Sequence, residues 1–252
     1  MLAAMMRRFL ALALFAAMLA VAPQARAQAQ GRTAAAPVLV ELYTSQGCFS
    51  CPRANRLLGE LSRDPGILAL TFPVGYWDYL GWSDTFAQPE FTSRQRDYAR
   101  TLRFRGPYTP QLIIGGVRQV SASDWDESRA ALQEVQAEPA PAAENPTLSI
   151  TRVDGGRVRV NIGSRPGHSG AADIWLVAYD PGPLTVFITT GENANRNVTH
   201  YNVVRRVTRV GAWSGAALWF ERSRCSPQCA VIVQAPRGGR VFAVAATRRA
   251  ND

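Results

Sequence analysis

The chain has 252 residues, 47% of them hydrophobic, and a formal charge of +9. That composition excludes a wholly disordered protein and leaves room for one large domain or two modest ones. The positive charge is carried almost entirely by arginines scattered along the sequence, with no basic stripe and no stacking platform, so no nucleic-acid partner is expected.

The first residues read as an export leader. Arg7 and Arg8 precede an apolar run, FLALALFAAMLAVA over 9–22, and Ala25-Arg26-Ala27 has the small-x-small form of a cleavage site. The run is shorter than the roughly 20 residues that cross a bilayer. A signal peptide over 1–27, cleaved after Ala27, is therefore expected, with a periplasmic or secreted product that keeps no stable membrane span. Residues 28–36 follow as a flexible tail.

From Pro37 the pattern alternates between strand and helix. PVLVELYT reads as a buried strand. In CPRANRLLGELSRD, Ala54, Leu57, Leu58 and Leu61 recur on one helical face, and Pro52 sits in the first turn, where its missing N–H costs nothing. ILALTFPVG is a second buried strand. An aromatic loop, YWDYLGWSDTFAQ, leads into a helix opened by Pro89. GPYTPQLIIGGVRQV then reads as a turn and a hairpin around Gly115-Gly116, and SASDWDESRAALQEVQA as a helix with a Ser/Asp capping signal.

Residues 137–146 (AEPAPAAENP) break the composition and read as an extended Pro/Ala linker. Beyond them, 147–252 is a succession of short alternating strands with frequent turn signals, which predicts a sandwich-like β domain.

Four cysteines fall into two close pairs, Cys48/Cys51 and Cys225/Cys229, which suggests two local disulfides in an exported chain. Cys48-Phe49-Ser50-Cys51 lies between a strand and a helix start. There the helix dipole favours a thiolate and lowers its pKa. Cys48 is expected to attack and Cys51 to resolve the mixed disulfide. Thr109-Pro110 fits a tight cis-proline turn beside the sulfurs, able to align an extended substrate. Glu41 is a carboxylate in an apolar strand. It either relays a proton for Cys51 or pairs with an arginine. Tyr76, Trp77 and Trp82 form either a substrate surface or core packing. Cys225/Cys229 suits a structural staple.

These segments carry a resemblance. Residues 36–136 resemble the thioredoxin superfamily, with VLVELYTSQGCFSCP similar to its strand-to-active-site segment and PYTPQLIIGG to its cis-proline loop. More closely, ELYTSQGCFSCP, YWDYLGW, FTSRQRDYA, YTPQLIIGG and NVVRRVTRVGAW resemble an exported bacterial family filed as a domain of unknown function. The resemblance implies an α/β thioredoxin-like domain over 37–136, followed by the mostly-β domain at 147–252, and a redox role. Departures from thioredoxin proper are Gln46-Gly47 before Cys48 and a Phe-Ser dipeptide between the cysteines.

The expected function is thiol–disulfide exchange with protein thiols and disulfides as partners. No cofactor and no metal is expected, and oligomeric state is open. Two alternatives stand beside it: a non-catalytic binding or assembly protein, and a copper-handling protein. Zinc held by both cysteine pairs is poorly served by their separation in sequence.

Overall fold

The computed structural model describes residues 37–138, 145–168, 170–223 and 225–247. The expected leader and tail lie outside these residues, as does 139–144 of the expected linker. Among the described residues no helix is long and apolar enough to cross a membrane.

The first half runs β1 (Val38–Thr44), α1 (Cys51–Leu61), β2 (Ile67–Pro73), α2 (Pro89–Thr101), β3 (Gln111–Ile114), β4 (Arg118–Ser121) and α3 (Trp125–Ala137). Each start has a local cause. Pro52 and Pro89 occupy the first turns of α1 and α2. At α3 the Asp124 side chain caps the helix by accepting from the Asp126 and Glu127 N–H groups. Gly115 and Gly116, both at positive φ, turn β3 into β4.

Among the described residues the second half has no α-helix and runs β5 (Leu148–Val153), β6 (Arg157–Ile162), β7 (Ala172–Asp180), β8 (Leu184–Ile188), β9 (Arg196–His200), β10 (Val203–Trp213), β11 (Leu218–Arg222), β12 (Gln228–Gln234) and β13 (Val241–Ala246), with one 3-10 turn at Asp154–Gly156.

The sheets overturn the expected architecture. One eight-stranded mixed sheet has the order β13-β12-β7-β10-β2-β1-β3-β4, so strands from both halves belong to it. The join is β10 lying parallel to β2, with Val203 opposite Thr71 and the Thr71 N–H donating to the Asn202 carbonyl at 3.0 Å. Strand accounts for 40% and helix for 21% of the described residues, so the protein is mostly β. It is not an α/β thioredoxin-like domain followed by a separate β domain. The physical reason lies in β2, which is buried along its whole length. An apolar strand of that kind is a liability as an open sheet edge, and β10 joins it at Thr71.

The described residues accordingly form one compact unit. Its main core, on the α2 side of the sheet, joins Leu39, Tyr43, Phe72, Phe91 and Tyr98 to Val177, Val204 and Ile232. On the other side α1 and α3 pack Ala54, Leu57, Leu58, Ala131 and Leu132 against Val40, Leu42 and Leu112. Further along the sheet, the three-stranded sheet β11-β6-β5 covers it, burying Ile150, Val158 and Val160 against Ile174, Trp213 and Val233.

Period-two alternation of β1 thus sends Val40 and Leu42 toward α1, and Leu39, Glu41 and Tyr43 toward α2.

Candidate functional site

The site grows from the end of β1. A short turn, in which the Cys48 N–H donates to the Ser45 carbonyl, carries the chain from Thr44 into α1 at Cys51. Thr44 Oγ1 donates to Asn55 Oδ1 at 2.8 Å and ties the strand end to the helix. Cys48 and Cys51 are joined by a disulfide, with their Cα atoms 5.4 Å apart. Both cysteines are buried; Cys51 has no exposed surface and Cys48 keeps 3%. Ser50 Oγ lies 3.6 Å from Cys48 Sγ. Phe49, between the cysteines, is 60% exposed.

A second segment braces this turn from beneath. Gln46 is fully buried, and its N–H donates to Asp84 Oδ2 at 2.7 Å. Asp84 also accepts from the Phe86 and Ala87 N–H groups. Burial still pushes its carboxyl up to about 6, with Asp78 adding to the rise. Trp82 Nε1 donates to Gln46 Oε1 at 2.9 Å.

The third segment comes from the far half of the chain, at the turn between β8 and β9. Asn193, fully buried, donates through Nδ2 to the carbonyls of both Gln46 and Cys48 at 2.9 Å. Glu192 Oε2 accepts from the Phe49 N–H at 3.2 Å. The Arg196 guanidinium sits 4.9 Å from the centre of the Phe49 ring. Thr190 donates to the Gly81 carbonyl at 2.5 Å, which fastens the same turn to the aromatic loop.

The expected residues fare differently. Thr109-Pro110 is a cis peptide at the same end of the sheet as Cys48, since β3 pairs antiparallel with β1 with Gln111 opposite Tyr43. Trp77 Nε1 donates to Thr109 Oγ1 at 2.7 Å and packs beside Gly47, so it links the proline turn to the cysteine turn. Tyr76 packs on the main core and donates to Gln95, and burial pushes its hydroxyl up to about 12. Trp82 is committed to Gln46. Of this loop it is Tyr79, stacked on Trp77 and 76% exposed, that reaches outward.

Glu41 does not stand under the sulfurs. It faces α2, on the side of the sheet opposite α1, and pairs with Arg94 through Nε at 2.7 Å and Nη2 at 3.3 Å. Burial pushes the Tyr98 hydroxyl up, and it stays protonated to donate to Glu41. Gln234 on β12 bonds to both Arg94 and Tyr98. Of the two roles open to Glu41, the arginine pair is the one observed, and the proton-relay role is withdrawn.

Cys225 and Cys229 also form a disulfide, buried in the core between the two sheets. Among the described residues no group of three or more His, Cys, Asp or Glu side chains is placed to hold a metal.

Sequence reasoning missed Glu192, Asn193, Gln46 and Asp84. Asn193 to Asn197 has the composition of any polar turn, and nothing local ties it to a cysteine 145 residues earlier. For Arg94 a signal existed: an arginine on the buried face that Phe91 and Tyr98 define needs a buried partner.

Comparison with known proteins agrees with this frame. The structure is similar to the crystal structure of an Agrobacterium tumefaciens protein determined as a structural-genomics target. The two chains are 30% identical, the match covers 83% of this chain and 92% of that one, and the TM-score is 0.69. No curated protein matches the chain. A family model described as "Protein of unknown function (DUF1223)" matches residues 39–235, most of the sequence, and the chain belongs to that family.

Proposed function

We propose that the protein is an exported thiol–disulfide oxidoreductase acting on protein disulfides through Cys48 and Cys51. The observation that carries this reading is the disulfide itself, set where a strand end turns into α1, with Cys48 the residue of the pair that keeps some exposed surface. The leader-like pattern of residues 1–27 supports a compartment in which such a pair works on secreted or periplasmic chains.

In the reducing direction the Cys48 thiolate attacks one sulfur of a substrate disulfide. A Cys48–substrate mixed disulfide forms and one substrate thiolate leaves. Cys51 then loses its proton and attacks Cys48 Sγ, expelling the second substrate thiolate and closing the disulfide seen here. Two electrons pass from the pair to the substrate, and the reverse sequence oxidises a substrate dithiol. The Thr109-Pro110 turn, at the same end of the sheet as Cys48, supports the reading as a backbone edge for an extended substrate segment.

Dithiothreitol-driven reduction of insulin tests the reading. The Cys48→Ser variant loses turnover while keeping the wild-type fold by circular dichroism, and Cys51→Ser accumulates a mixed disulfide with its substrate. Wild-type turnover in Cys48→Ser would end the proposal.

A further inference from the structure

Five N–H groups around Cys48, those of Gln46, Gly47, Cys48, Phe49 and Cys51, are spoken for. A thiolate at the start of a helix gains its acidity from backbone donors that turn toward it. Here Gln46 N–H is taken by the Asp84 carboxylate and Gly47 N–H by Ser45 Oγ. Cys48 N–H goes to the Ser45 carbonyl, Cys51 N–H to the Cys48 carbonyl, and Phe49 N–H to the Glu192 carboxylate. Two of these acceptors carry negative charge. The cations nearby pack on rings, with Arg196 on the Phe49 ring and Arg53 on the Trp125 ring. Asp78, the remaining acidic group of the aromatic loop, accepts from the Asp84 N–H.

A thiolate formed at Cys48 in this setting finds these five backbone donors occupied, two of them by carboxylates, and keeps the Ser50 hydroxyl, at 3.6 Å, as a side-chain donor. The reduced state is poorly stabilised relative to the disulfide, which is the reverse of what makes a strong oxidant. We propose that the Cys48–Cys51 pair is poised as an electron donor, a dithiol that reduces disulfides. We further propose that Glu192, delivered by the β8–β9 turn, is the positioning residue that sets this poise. The inference rests on the thiol–disulfide reading above and gives it a direction. Each turnover oxidises the pair by two electrons, so a second dithiol, protein or small molecule, must reduce it again by the same exchange in reverse.

Glu192 offers a clean test because it is exposed and Glu192→Gln keeps an oxygen for the Phe49 N–H while removing the charge. The intact chain is equilibrated with mixtures of oxidised and reduced dithiothreitol or glutathione, and the state of Cys48 and Cys51 is read by alkylation and peptide mass. Wild type is expected to remain disulfide-bonded in predominantly reduced glutathione and to yield to dithiothreitol. Glu192→Gln should be about threefold to tenfold easier to reduce at low ionic strength, a rise of roughly 15 to 30 mV. The difference should shrink in molar salt, because an exposed charge is screened. An unchanged or lower potential in Glu192→Gln overturns the role of Glu192, and a wild-type pair readily reduced by glutathione overturns the donor poise. If native wild type fails to exchange even with dithiothreitol, the underlying thiol–disulfide reading falls and the poise with it.

Discussion

An ion pair sealed from water, such as Glu41 with Arg94, survives only with close geometry and further hydrogen bonds, because desolvating two charges costs several kcal/mol. Tyr98 and Gln234 supply those bonds here. The sequence reading favours a proton relay for Glu41 over an arginine pair, since alternation along β1 says which residues share a face but not which helix lies over it. Two other buried titratable side chains near the site have opposite consequences. Burial against the Phe86 ring lowers His200 from 6.5 to about 4. It raises Asp84 from 3.8 to about 6. The unfolded chain binds the His200 proton first, so the contribution of His200 is complete above pH 6.5 and is lost as pH falls toward 4. Asp84 is the reverse: its folded form holds the proton longer, so its contribution is complete below pH 3.8 and is lost as pH rises toward 6. Each amounts to about 3 kcal/mol at most. Urea midpoints measured from pH 4 to 7 check this. Relative to wild type, His200→Leu should gain stability as pH falls and Asp84→Asn should lose it. Parallel curves for both variants would refute the assignment.

At the scale of elements, the local signals were readable. Pro52, Pro89 and Asp124 mark the helix starts, and Gly115-Gly116 marks the hairpin, because each acts within a few residues of itself. What local pattern could not carry is pairing between distant segments. Gly59 shows this. A Cβ there would lie 2.6 Å from the Tyr201 ring, so α1 packs against the β9–β10 connection only because residue 59 has no side chain. An alanine in mid-helix ordinarily gains up to about 1 kcal/mol over glycine. Gly59→Ala should instead destabilise, by about 1–3 kcal/mol from overpacking. In a Tyr201→Ala background the same substitution should become stabilising. Chemical denaturation of the four proteins measures it, and a sign that does not change would contradict the close packing of α1 on Tyr201.

For the molecule as a whole, the composition break at 137–146 suggested two sequential domains. The shared sheet and the core that spans it bind the halves together instead. The break was a true feature of the sequence, but a proline-rich stretch reports a connection, not whether the strands on its two sides hydrogen-bond. One consequence is thermodynamic. Residues 37–252 should unfold in a single calorimetric transition, while a 37–138 fragment, with the β2 edge and the α2-side core uncovered, should lack a cooperative transition. Two separate transitions would restore the two-domain picture. The other consequence is functional: Glu192 and Asn193 reach the cysteine turn only because the halves are one body.

The most direct test is differential alkylation of the folded protein in a dithiothreitol series, with each cysteine pair followed by peptide mass. Exchange at Cys48 and Cys51 predicts that both become alkylated under native conditions, Cys48 fastest, while Cys225 and Cys229 stay bridged. A Cys48–Cys51 bond that opens only together with Cys225–Cys229, when the chain unfolds, would make it a structural staple and contradict the account.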